Sequence, residues 1–172
     1  MLKPATGPFS RLDVVEQMTM HAASVLGNDV AKSEIVSIGK WDVFVTERYD
    51  RALDARAKNY SLLLRGNNVS LAPLYDLATY APYWDGTSRI DSAMNVGGEY
   101  SLERISRSNL AALGPKFGLS IDQANETVTE VSSGVVRAFE SARARLENQG
   151  PQVRAVADDV LGGLVKLPLV GA

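Results

Sequence analysis

The chain has 172 residues, 45% hydrophobic and 22% charged, a composition that suits one substantial globular core or two small lobes. A net charge of −2 gives no bulk attraction to nucleic acid or anionic membrane, so neither direct nucleic-acid binding nor a membrane partner is expected. Cysteine is absent and His21 is the sole histidine, which argues against disulfides, thiolate or histidine-rich metal sites and a Ser-His-Asp triad at Asp54 or Asp76. No apolar run approaches the roughly 20 residues of a membrane span, and the N-terminus lacks the pattern of a signal peptide. A cytoplasmic setting is therefore expected.

In chain order, Leu12, Val15, Met18, Ala22, Val25 and Leu26 form a helical stripe that Gly27 can close. Glu34 to Ile38 and Trp41 to Thr46 are β-rich runs around Gly39-Lys40, which predicts a hairpin. A second hairpin is predicted from Tyr60 to Leu64 and Val69 to Leu71, around Arg65-Gly66-Asn67-Asn68. Tyr80 to Asp91, with Pro82, Asp85 and Gly86, reads as a loop. Gly97-Gly98 lacks the spacing of a phosphate loop and reads as a tight turn.

The back half is helical. Ser106 or Ser108 can cap a short helix through Leu113. Ser120 and Gln123 form a capping-box pattern opening a long helix, whose stripe of Ile121, Ala124, Val128, Val131, Val135, Phe139, Ala142 and Leu146 should be buried. Gly150 stops it, and Pro151 suits the first turn of a last helix. His21 reads as a half-buried or surface side chain, and Trp41 and Trp84 as hairpin and loop packing.

Two runs carry the chemistry. In Asp54-Ala55-Arg56-Ala57-Lys58-Asn59 a carboxylate precedes a carboxamide by five residues. In Leu71-Ala72-Pro73-Leu74-Tyr75-Asp76-Leu77 a second carboxylate follows an apolar strand. Protein kinases need such a trio in this order: an Asp that accepts the proton of the attacking hydroxyl, then an Asn and a later Asp that bind magnesium. The structural alternatives are an N-cap or turn Asp at 54, a turn Asn at 59 and an Asx-type turn at 76. Lys58 is either a cation that stabilises the transferring phosphoryl group or a solvated surface charge.

The surrounding residues resemble the HipA-type toxin kinases. Asp54-Ala55-Arg56-Ala57-Lys58-Asn59-Tyr60-Ser61-Leu62-Leu63 is similar to their catalytic run. Leu71-Ala72-Pro73-Leu74-Tyr75-Asp76-Leu77 and Ala93-Met94-Asn95-Val96-Gly97-Gly98-Glu99-Tyr100 are similar to two later family words. Phe44 to Arg51 resembles the strand that enters the family's hinge, and Met1-Leu2-Lys3-Pro4 the strand of its ATP-binding lysine. The matches are collinear from Lys3 to about Gly118.

The resemblance implies an α+β, protein-kinase-like fragment with a small strand-rich front (residues 1–51, a partial N-lobe) and a catalytic hairpin region with a mainly helical C-lobe (52–172). It implies ATP-dependent phosphorylation of Ser or Thr on a protein substrate, with magnesium as cofactor. Asp54 would be the base and Lys58 a charge stabiliser. Lys3 would pair with the ATP phosphates and Glu16 would hold Lys3. Asn59 and Asp76 would be metal ligands. Relatives are toxins restrained by a DNA-binding antitoxin, so an antitoxin is the implied partner. The chain departs from the family pattern by starting at the lysine strand, without a Gly-rich loop, and by joining Arg51 directly to Ala52. Arg56 stands where the family usually has His. The rival expectation is therefore a catalytically inactive scaffold that binds an antitoxin or a homologue.

Overall fold

The computed structural model describes residues 2–4, 9–39, 41–47, 62–65, 67–167 and 169–170. The elements are β1 (Leu2–Pro4), α1 (Leu12–Val25), β2 (Ser33–Ile38), β3 (Trp41–Thr46), β4 (Leu62–Arg65), β5 (Asn68–Leu71), β6 (Asp91–Val96), β7 (Glu99–Ser101), α2 (Arg107–Ala111), α3 (Ile121–Arg145) and α4 (Pro151–Leu164), with short 3-10 turns at Ala81–Tyr83 and Gly114–Phe117. Helices and small antiparallel sheets together make an α+β fold, as expected. The lobe boundary expected between residues 51 and 52 lies outside the described residues.

Two compact units divide the chain. The first comprises residues 1–79 and 138–160. Its sheet has the order β1-β3-β2, antiparallel throughout. Apolar side chains recur on α1 at helical spacing, so Val14, Val15, Met18, Met20 and Ala22 are all buried. On the central strand β3 the adjacent residues Val43 and Phe44 are both buried. Neighbours on a strand point to opposite faces, so β3 is covered on both sides. Met20, Ala31 and Phe44 form a core cluster against which Val30, Tyr75 and Leu77 pack.

A polar clamp fixes the entry to α1. Arg11, in a left-handed conformation with φ 53°, precedes the helix. Its guanidinium donates to both oxygens of Asp13 at 3.0 and 2.9 Å and to Asp42 on β3 at 3.0 Å. The Asp13 side chain is wholly buried. Hydrogen bonding to Asp13 and the charges of Asp13 and Asp42 raise the Arg11 pKa against the opposing effect of burial. The closing end of α1 follows the sequence: Gly27 N–H donates to Ser24 and Asn28 N–H to Ala23.

The β4–β5 hairpin forms with register Leu62↔Leu71 to Arg65↔Asn68. Its second strand is exposed along its length, so burial begins only after it, at Ala72 and Pro73. The later part of this unit buries Ala138, Phe139 and Ala142 of α3, Leu146 just after it, and Val153, Ala157 and Val160 of α4. Arg143 joins these helices through Asp158 at 2.9 Å.

The second unit comprises residues 80–137 and 161–172. The region read as a loop holds the 3-10 turn at Ala81–Tyr83 and is ordered by Asp85, which accepts from the backbone N–H groups of Thr87 and Ser88 and from both hydroxyls. Trp84 Nε1 donates to the Ser88 carbonyl at 2.8 Å. Gly97-Gly98 turns the β6–β7 hairpin. Ser106, of the two candidate caps, is the residue that caps α2, in a reciprocal box with Asn109. Ser120 and Gln123 cap α3 reciprocally at 2.9 and 3.2 Å.

One expectation is corrected here. The α3 stripe is not buried along its whole length: Ala124 is buried, but Ile121 is 50% and Val131 42% exposed. Helical periodicity shows that a helix has an apolar face, not that every turn of that face finds a neighbour.

Candidate functional site

Leu71 to Thr79, which carries Asp76, is tied to the rest of the first unit at three points. Leu74 forms a parallel bridge to Val30: Ala31 N–H donates to Leu74 O and Leu74 N–H to Asp29 O, each at 2.8 Å. Tyr75 and Leu77 pack on the Met20–Ala31–Phe44 core from either side of Asp76 in sequence. Thr79 N–H donates to the hydroxyl of Thr19 on α1 at 3.0 Å.

Between these anchors Asp76 adopts φ 60°, one of only two non-glycine residues with positive φ among those described. The left-handed region costs most L-residues energy, and Asp is among the few that enter it. Packing on both sides of Asp76 offsets that cost. A turn at this position would also use such an Asp, and strained positions of this kind cluster at functional sites.

Two other candidates lie in the same unit. Glu16 lies on α1, one helical turn before Met20, and is 4% exposed. A buried carboxylate inside a helix is costly in isolation, which marks the position as more than a solvated charge. Lys3 lies on β1 as the cross-strand partner of Phe44, a core member. Lys3 on β1 and Glu16 on α1 thus belong to the same compact unit as Asp76. Asp54, Lys58 and Asn59 lie outside the described residues, as do Arg48, Asp50 and Arg51 of the hinge approach. No cluster of three His, Cys, Asp or Glu side chains suited to a metal occurs among the described residues.

Thr19 was not singled out in the sequence. Its hydroxyl donates to the Val15 carbonyl at 2.8 Å and accepts from Thr79. The available signal was a polar residue set among the buried positions Val15, Met18 and Ala22, where a hydroxyl needs partners. The Leu74 bridge had no signal, because it joins segments more than forty residues apart.

No helix among the described residues is long and apolar enough to cross a membrane. A search of curated proteins found no match. Among solved structures, the chain is similar to HipA from a Shewanella oneidensis MR-1 complex of HipA, HipB and operator DNA. The TM-score is 0.75 at 17% identity, over 99% of this chain and 56% of that one. The present chain therefore has the HipA fold and spans little more than half of that relative. The HipA-like C-terminal domain family matches residues 52–139, just over half of the chain and including both the 54–59 and the 71–77 runs. The chain belongs to the HipA-like C-terminal domain family.

Proposed function

We propose that this chain is the catalytic part of a HipA-like kinase, transferring a phosphoryl group from ATP to a Ser or Thr hydroxyl of a protein. The observation that carries this reading is Asp76, held at φ 60° between two core-packed residues and two hydrogen-bonded anchors. Asp76 and Asn59 offer the hard oxygen donors that magnesium prefers. Magnesium would neutralise phosphate charge in such a site. Asp54 accepts the proton of the attacking hydroxyl, and Lys58 stabilises negative charge on the group in transit. Lys3 binds the nucleotide phosphates and Glu16 orients Lys3.

The test is phosphate incorporation, followed by mass spectrometry with ATP and magnesium. Incorporation into this chain or into an added protein should fall at least about a hundredfold in Asp54→Asn and in Asp76→Asn. Equal incorporation in the parent and both variants would contradict the reading.

A second reading draws on the relative's solved complex, which holds HipB and operator DNA. Here the chain serves a toxin–antitoxin system as the surface on which a DNA-binding antitoxin docks, with or without catalysis. Co-purification with an antitoxin that survives Asp76→Asn, combined with no phosphate incorporation by the parent, would favour docking alone.

A further inference from the structure

A cavity of about 240 Å³ lies within the first unit. Gln17, His21 and Ser24 face it from α1, Lys32 and Ser33 from the start of β2, and Arg145 from the last turn of α3. Among the described residues no carboxylate lines it. Among the described residues neither Lys32 nor Arg145 pairs with an acid. Two unmatched cations at the rim of a polar hollow attract an anion.

His21 positions one of those cations. Arg145 Nη1 stands 3.3 Å from His21 Nδ1, and His21 Nε2 stands 3.5 Å from the Ser141 hydroxyl. Since a guanidinium only donates, Nδ1 is the acceptor and the ring is neutral, with its proton on Nε2. Burial, and next the charge of Arg145, lower the His21 pKa, in keeping with that state. One guanidinium N–H is thereby engaged, and the others remain for a ligand.

Gln17 supplies the complementary group. Its Nε2 donates to the Ser33 carbonyl at 3.2 Å, which fixes which end of the amide is oxygen. Its Oε1 is buried and has no hydrogen-bond partner. Buried acceptors are ordinarily satisfied, so this oxygen calls for a donor.

We propose that this cavity binds a small phosphomonoester that also carries a hydroxyl. Its phosphate pairs with Lys32 and Arg145, and its hydroxyl donates to Gln17 Oε1. A dianion matches two cations, whereas a carboxylate would leave one unmatched. The volume lies below the roughly 300–1,000 Å³ of sites for drug-sized ligands, which favours a compact ligand. The proposal uses none of the proposed catalytic residues, so it stands or falls independently of the kinase reading.

Because His21 is the sole histidine, the imidazole proton signals of the untagged chain report on this cavity alone. Glycerol 3-phosphate titrated at constant pH should shift them saturably, and glycerol should not. Lys32→Gln and Arg145→Gln should each weaken the dissociation constant about tenfold or more. Methyl phosphate, which lacks the hydroxyl, should bind severalfold more weakly. Absence of a saturable shift, or unchanged affinity in both variants, would overturn the site. Equal affinity for the two phosphate esters would overturn the contact to Gln17.

Discussion

The two compact units hold their backbones in different ways. In the first, the ties join segments distant in sequence: Arg11 to Asp42, Leu74 to Val30, Thr79 to Thr19, His21 to Arg145. In the second, most ties span two to four residues: Asp85 with Thr87 and Ser88, Ser106 with Asn109, Ser120 with Gln123. Its exceptions include the backbone bond from Leu102 N–H to Ile90 O and close approaches at glycine. At Gly97, φ is 57° and a Cβ would run into the backbone of Asn109. At Gly163 a Cβ would meet the carbonyl of Ala81. The positive φ of Asp76 lies between ties of the first kind, at Leu74 and Thr79. Caps and turns of the second kind suffice to start and stop helices.

This contrast can be broken by substitution. The largest losses should come from the first unit. Phe139→Ala, at a residue 6% exposed, should cost about 3–5 kcal/mol through lost burial and the cavity left behind. Arg11→Ala should cost a similar amount, about 3–5 kcal/mol, because it leaves the wholly buried Asp13 carboxylate without its partner. Urea denaturation measures both, and a loss below 1 kcal/mol in either would show that the long-range ties matter less than their geometry implies.

Intermediate losses belong to the glycine approaches. Gly97→Ala and Gly163→Ala should each cost about 1–3 kcal/mol, because the facing atoms are backbone and cannot swing away. Wild-type melting of both variants would contradict the close approach. Smaller still, Ser120→Ala should cost about 1 kcal/mol, the usual value of a helix cap. A loss as large as that of Arg11→Ala would erase the distinction between the units.

The smallest effect is the pH dependence of the tie between His21 and Arg145. The folded pKa of His21 lies below its ordinary value of 6.5, from burial first and Arg145 second. Between those two values the unfolded chain binds more protons, so stability rises with pH. The contribution is complete above the ordinary value and is lost as pH falls through the folded one. An NMR titration of the ring should find a midpoint below 6.5, raised by Arg145→Gln but not restored fully, since burial remains. A midpoint above 6.5 would contradict the packing around His21.

The same contrast explains what was legible in the sequence. Both hairpins, the caps at Ser106 and Ser120, and the break at Gly150-Pro151 were readable because each depends on residues a few positions apart. The β6–β7 strands were not assigned, although their Gly97-Gly98 turn was; Asp91–Val96 mixes polar and small residues without alternation. The Arg11–Asp13–Asp42 clamp was invisible because half of it comes from a strand about thirty residues later. The exposed turns of α3 were missed because periodicity carries no record of what stands opposite a face. At the candidate site, Asp76 was legible as a residue type in a family word, whereas its positive φ depends on packing by Tyr75 and Leu77.

We propose that Asp76 is held in that conformation to bind a nucleotide-associated metal. Calorimetric titration with Mg·ATP tests it most directly. The expected dissociation constant is about 100 μM or weaker, corresponding to no more than about 5.5 kcal/mol of binding. Asp76→Asn, in a chain of unchanged stability, should weaken it at least about tenfold. Equal heats and equal affinity in parent and variant, or no binding by the parent at millimolar nucleotide, would contradict the account.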